Sequence, residues 1–178
     1  MRNWLTLLAL VAPLCWAADV AKDFTFAGTD YFHRWSREDQ HEFTPQGQTD
    51  LAKWQDMLTL HRYTAAKDAE QMAAVANAVL DNYKQQGAMI LKVDASPARG
   101  NQPAVYFIAA VFPQPSFIEA VFTRLKLENG AGTGVIYSHR LYGKGVGESM
   151  SAWLKANAVA RENELMDWQP PARAFQRR

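Results

Sequence analysis

The four histidines His33, His41, His61 and His139 are the residues of this chain best suited to acid–base or metal chemistry. Their spacing supports neither. A zinc-type site needs three or more converging ligands, usually with a recognisable pair on one element. No two of the four stand in an HxxxH or HxH arrangement. His33 and His41 flank the charged turn Arg37-Glu38-Asp39 and are expected to face each other across a hairpin, which makes at most a weak two-imidazole site. His61 sits near Met57 and Tyr63, and His139 among Val135, Tyr137 and Leu141, so both read as hydrogen-bonded core or half-core histidines. Ser138 directly precedes His139, and neighbours on a strand point to opposite faces, so these two cannot pair as nucleophile and base. Ser149 lies in no GxSxG elbow and reads as a helix-start residue. Glu119, Glu128, Glu148 and the aspartates are scattered, without the paired spacing that glycoside hydrolysis demands. The sequence therefore assigns no catalytic residue, no metal ligand and no cofactor.

Two stretches suit binding better. Gly143-Lys144-Gly145-Val146-Gly147-Glu148-Ser149 is a glycine-rich loop leading into a helix, a place where backbone N–H groups can cradle a phosphate. It has neither the contiguous Gly-Lys-Ser/Thr of the P-loop nor the GxGxxG of a dinucleotide loop, and Glu148 puts negative charge where an anion would sit. It reads as a flexible turn, with Lys144 available to a partner. The segment Tyr137 to Gly143 crowds aromatic, cationic and imidazole side chains onto one strand, with Arg140 and Tyr142 sharing a face with Ile136 and Ser138. Arg and Tyr are enriched at protein interfaces, although cross-strand pairing on a solvated sheet face uses the same residue types. Tyr31 and Trp35 extend the surface, so the expected partner-binding set is Arg140, Tyr142, Lys144, Tyr31 and Trp35.

The elements that must position these residues follow from periodicity. Phe24 and Phe26 mark a short extended start. Tyr31–Ser36 and Gln40–Thr44 form the arms of a hairpin, and Pro45-Gln46-Gly47-Gln48 is a turn by its residue types. Trp54 to Tyr63 alternates as a strand, with Trp54, Leu58 and Leu60 on one face and Met57, His61 and Tyr63 on the other. Asp68 followed by Gln71 is a capping box. Met72, Val75, Val79 and Tyr83 continue the helical spacing, and Gly87 is placed to end the helix. Met89 to Asp94 alternates as a half-buried strand, and Ala104 to Phe112 is apolar on both faces, as a doubly covered strand should be. Phe117–Leu127 and Gly134–Tyr142 form a hairpin joined through Glu128 to Thr133. A last helix starts near Gly147 to Ser149 and turns Met150, Trp153 and Leu154 inward. The expected fold class is α+β: a mainly antiparallel sheet of about six strands with two flanking helices.

Domain organisation is set by the N-terminus. Met1-Arg2-Asn3, the apolar run Trp4 to Leu14 and Ala17 have the layout of a cleavable secretory signal peptide, residues 1–17. The apolar run is too short to span a membrane. Cys15 raises the alternative of a lipid anchor, but Leu14 stands where such signals carry a small residue, so cleavage after Ala17 is preferred. That cleavage removes the one cysteine, leaving no disulfide or thiolate site in the exported protein. It also removes one of 19 basic residues against 18 acidic ones, so charge gives no reason to expect nucleic acid or an anionic membrane as partner. One α+β domain is expected over 18–160, followed by a partly extended C-terminal extension, 161–178.

The order of elements resembles the PsbP-like and DcrB-like fold group, through Glu42-Phe43-Thr44-Pro45 leading to Trp54, the strand Met57-Leu58-Thr59-Leu60, the alanine-rich helix 68–86 and the late helix after Gly147. That resemblance implies an antiparallel sheet flanked by helices and a non-catalytic accessory or binding role, with no catalytic set to carry over. The functional expectation is thus an exported periplasmic binding or accessory protein that acts through contacts with a protein partner of the cell envelope. An immunity or inhibitor protein is one form of it. The alternative is a small envelope hydrolase with His61 or His139 as base, and what separates the two is whether a histidine stands in a cleft beside a nucleophile or carboxylate.

Overall fold

A computed structural model describes residues 21–176 of the chain. The expected signal peptide, with Cys15, lies outside the described residues. Eight strands, β1 (Phe24–Phe26), β2 (Thr29–Arg37), β3 (Gln40–Pro45), β4 (Asp56–Tyr63), β5 (Met89–Ser96), β6 (Val105–Pro113), β7 (Phe117–Glu128) and β8 (Ala131–Tyr142), form one sheet. Its spatial order is β1-β2-β3-β4-β8-β7-β6-β5, with every neighbouring pair antiparallel. Two four-stranded meanders therefore meet where β4 lies beside β8. Helix α1 (Ala69–Gln85) follows the first meander and α2 (Gly147–Asp167) the second.

The helices cover opposite faces because strand residues alternate. Phe107, Ala109, Ala120, Phe122, Val135, Tyr137, Leu58, Leu60 and Phe43 point to one face and form the larger core with Met150, Trp153 and Leu165 of α2. Ile108, Leu125 and Tyr106 point to the other and pack on Met72, Val75, Ala76 and Val79 of α1. The capping box is present: the Gln71 N–H donates to Asp68 Oδ1 at 2.8 Å, and Gln71 Oε1 accepts from the Lys67 N–H at 2.6 Å. Seating α1 requires bare backbone on β8. A Cβ on Gly132 would stand 2.8 Å from Met72 Sδ and 3.0 Å from Ala66 Cβ.

Several sequence expectations are corrected. The sheet has eight strands rather than about six, with the three-residue β1 at one edge and the largely exposed β5 at the other. The expected half-burial of Met89 to Asp94 fails at that edge. On edge strand β5, Met89, Leu91 and Val93 are exposed, and the register slips between Ile90 and Lys92. The β7–β8 connection is shorter than expected. Glu128 pairs with Ala131 across Asn129-Gly130, both at positive φ (51° and 72°), the two-residue turn whose twist matches its strands. Trp54 precedes β4 and packs its ring on Arg140, away from the Leu58–Leu60 face. Helix α2 runs through residue 160 to Asp167. The tail ends in a 3-10 helix, Ala172–Gln176, whose Ala174 is fully buried in the α2-side core.

Candidate functional site

On the α2 face, neighbouring strands β4 and β8 bring Asp56 opposite His139. Asp56 Oδ1 accepts from the Tyr137 hydroxyl at 2.7 Å and from His139 Nδ1 at 2.9 Å. Burial alone would raise the Asp56 carboxyl, but the hydrogen bonds from His139 and Tyr137 outweigh it and hold the group below the usual carboxylate range. Burial, and then the Asp56 charge, drive the Tyr137 phenol far above its ordinary value, so it stays protonated and donates. The imidazole lies flat on the Trp153 indole, centroids 4.0 Å apart and planes 4° apart. Asn157 and Arg161 of α2, with Thr29 and Tyr31, complete a cleft of about 230 Å³.

A carboxylate on Nδ1 is how a catalytic histidine is oriented, leaving Nε2 to take a proton. Here Nε2 is buried without a hydrogen-bond partner among the described residues. Ser138 points to the opposite sheet face, where it pairs with Met57 and Val121, as the sequence requires. The arrangement joins β4, β8 and α2 around one carboxylate.

The expected juxtaposition of His33 and His41 is real, but it runs through a hydroxyl. Ser36 Oγ lies 2.7 Å from His33 Nε2 and 2.7 Å from His41 Nδ1. Burial lowers the affinity of His41 for a proton, against opposing contributions from the Phe175 backbone and Asp39. Among the described residues no group of three or more His, Cys, Asp or Glu is placed to hold a metal ion.

The other face of the sheet is only partly roofed. Helix α1 covers β5 to β7, and a cleft of about 330 Å³ opens beside its C-terminal end, between Tyr83 and Gln86 and the sheet residues Thr59, Ile136, Ser138, Glu119 and Arg140. Arg140 forms its centre. Its guanidinium carbon lies 3.9 Å from the Trp54 ring centroid and 4.2 Å from that of Phe117, and Nε donates to Glu119 Oε2 at 2.8 Å. Two rings and a carboxylate thus fix a cation that is still one-fifth exposed. The Tyr142 hydroxyl donates to the Trp54 carbonyl at 2.7 Å, holding the covering loop to β8. Burial pushes the Tyr83 phenol up to about 12, and its hydroxyl lies 2.8 Å from Thr123 Oγ1.

The structure divides the five expected partner-binding residues. Arg140 and Tyr142 lie on this open face. Trp35 joins them three strands away, through the lateral row Trp35, Glu42, Thr59 and Ile136. Lys144 is exposed in the loop after β8. Tyr31 is 2% exposed on the α2 face, packed on Phe24, so it contributes no surface. Sequence reasoning missed Asp56, Trp54, Phe117 and Glu119. The last two stand directly across from Tyr142 and Arg140 on β7, and the hairpin register that places them there was legible once its turn was located at Asn129-Gly130.

A protein-family model matches residues 18–168, and that match supports no PsbP-like or DcrB-like assignment. No curated protein matches the chain.

Proposed function

The chain belongs to a protein family of unknown function, and from that premise we propose that it is an exported binding or accessory protein of the periplasm that holds a protein partner on the open face of its sheet. The observation that carries this reading is Arg140, clamped between Trp54 and Phe117 and paired with Glu119 on the part of the sheet face that α1 leaves open. A pre-positioned arginine loses little freedom when a partner binds, and arginine with aromatic neighbours is the composition of interface hot spots. Trp35 and Tyr142, 37% and 40% exposed, provide aromatic area on the same face. An immunity or inhibitor protein remains the specific form consistent with such a face in that compartment.

A second reading, a hydrolase with His139 as base, draws on the 2.9 Å contact to Asp56. It requires Nε2 to reach a substrate proton, whereas that nitrogen is buried and its ring is stacked on Trp153. The deciding experiment is capture from the cell-envelope extract by the exported protein, with Arg140→Glu and Thr59→Arg alongside. Thr59 lies in the middle of the open face and, unlike Arg140, has no ion pair to break. Capture of one stoichiometric partner by the wild type, lost in Thr59→Arg with an unchanged thermal melt, is the expected result. A partner retained by both folded variants removes the open face from the function.

A further inference from the structure

Among the described residues, Arg124 is the largest fully buried side chain, 1% exposed, on the α2 face of β7. One of its nitrogens does most of its work. Nη1 donates to the Leu165, Met166 and Trp168 carbonyls at 2.7, 3.1 and 2.5 Å, closing the C-terminal end of α2. A cation there also answers the negative end of the helix dipole. Nε and Nη2 are buried and have no hydrogen-bond partner among the described residues. Burying charged donors unpaired is costly, so such groups call for a partner beyond the protein's own atoms.

The surroundings of Arg124 indicate what that partner is. The residue lines a cleft of about 470 Å³ between the β5–β6 loop, the sheet and the end of α2. Arg99 and Lys126 line the same cleft, and no aspartate or glutamate does. The nearby carboxylates sit outside the lining. Glu128 holds Lys126 at 2.9 Å, and Glu128 and Asp167 are the acidic groups whose charges reach Arg124. Three cations lining the cleft against two carboxylates outside it leave a net positive charge at the cavity. Ser96, Gln102 and Gln169 add polar groups, while Pro97, Pro103, Val105 and Met166 give an apolar wall.

We propose that this cleft binds a small molecule carrying an oxyanion, a phosphate or carboxylate group, joined to an apolar body. Arg124 places its charge in the wall of the cleft, and a guanidinium is the cation whose geometry suits carboxylate and phosphate oxygens. Arg99 and Lys126 complete the charge match. The cleft is larger than an inorganic anion needs and lies within the usual size of ligand pockets, and the proline and Val105 wall accounts for the remainder. The site is on the opposite side of the sheet from Arg140, so it stands or falls independently of the partner-binding reading.

Calorimetric titration of the protein purified from its cell envelope tests the proposal, with octyl phosphate, octanoate and inorganic phosphate as probes. Because Arg124 also closes α2, the variants are Arg99→Gln and Lys126→Gln, which leave that closure intact. Saturable 1:1 binding of an octyl probe, weakened about tenfold or more in each variant as expected for loss of one charge-assisted contact, supports the site. The tighter of the two octyl probes then assigns the anion as phosphate or carboxylate. Inorganic phosphate binding as tightly as octyl phosphate overturns the apolar part of the proposal. No saturable binding of any probe, or equal binding by wild type and both variants, overturns the site itself.

Discussion

Along β7, Phe122 lies under α2 with Phe107, Tyr137 and Trp153 around it, while the next residue, Thr123, faces α1 and meets the Tyr83 hydroxyl. The same alternation runs through β8, where Tyr137 and His139 turn to α2 and Ser138 and Arg140 to the open face. On the α2 face most polar groups bind one another or the backbone, Asp56 with Tyr137 and His139, Ser36 with two histidines and Arg124 Nη1 with three carbonyls, while His139 Nε2 and Arg124 Nε and Nη2 have no hydrogen-bond partner among the described residues. On the other face Arg140, Glu119, Gln40 and Thr59 line an open cleft. Buried polar groups that satisfy each other fix geometry. Polar groups held in place at a solvent-facing surface stay open to a further contact, so the two sides of the sheet differ in how far their polar groups are exposed.

The largest effect expected from this contrast is at Phe122. Phe122→Ala should cost about 3–5 kcal/mol, the range for emptying a buried aromatic site, read as a lower urea midpoint at constant slope. A loss below about 1 kcal/mol would mean that the α2 face is not the main core. Smaller, and on the opposite side, is Gly132→Ala. The added methyl meets Met72, Ala66 and Tyr63 at 2.8–3.1 Å, and overpacking of this kind costs about 1–3 kcal/mol. Hydrogen exchange should then show α1 opening more readily while α2 keeps its protection. Equal loosening of both helices would remove the separation of the two faces.

How much of this could be read from the chain follows from the range of the forces involved. Alternation in β4 assigned Leu58 and Leu60 to one face and Met57, His61 and Tyr63 to the other, and the capping residues of α1 bounded it, because both signals are local. The opposed directions of Ser138 and His139 were equally legible. What failed was non-local. Nothing near Met89 marks β5 as an edge strand, since exposure there depends on which strand ends the sheet. Tyr31 was expected at the surface because its type suits an interface, yet strand pairing turned it under Phe24. Asp56 and Arg124 gained their roles from partners about 80 and 40 residues away, Asp56 by pairing β4 with β8 and Arg124 by meeting the end of α2. An isolated acidic or basic residue in a strand gives no local sign of either.

The smallest effect sharpens the comparison through pH, because burial depresses the proton affinity of a histidine on each face. Burial lowers His41 on the α2 face and His61 on the open one, where its ring lies 4.3 Å from Tyr63. An unfolded histidine titrates near 6.5. Between that value and the lower folded ones, the unfolded chain takes up protons that the folded protein refuses. Stability is therefore fully present above about pH 6.5 and falls as the pH drops through the depressed folded values. The urea midpoint should be lower at pH 5 than at pH 7. His41→Gln and His61→Gln should each remove part of that difference, and the double variant should show a smaller decline than either single variant. Asp56, held below the carboxylate range, loses its contribution only at more acid pH and leaves this window untouched. If the decline between pH 7 and 5 persists undiminished in the double variant, its source is not these two imidazoles. If His41→Gln alone abolishes it, the depressed histidine that matters belongs to the internally bonded face, and the open face carries its charges without a cost to stability.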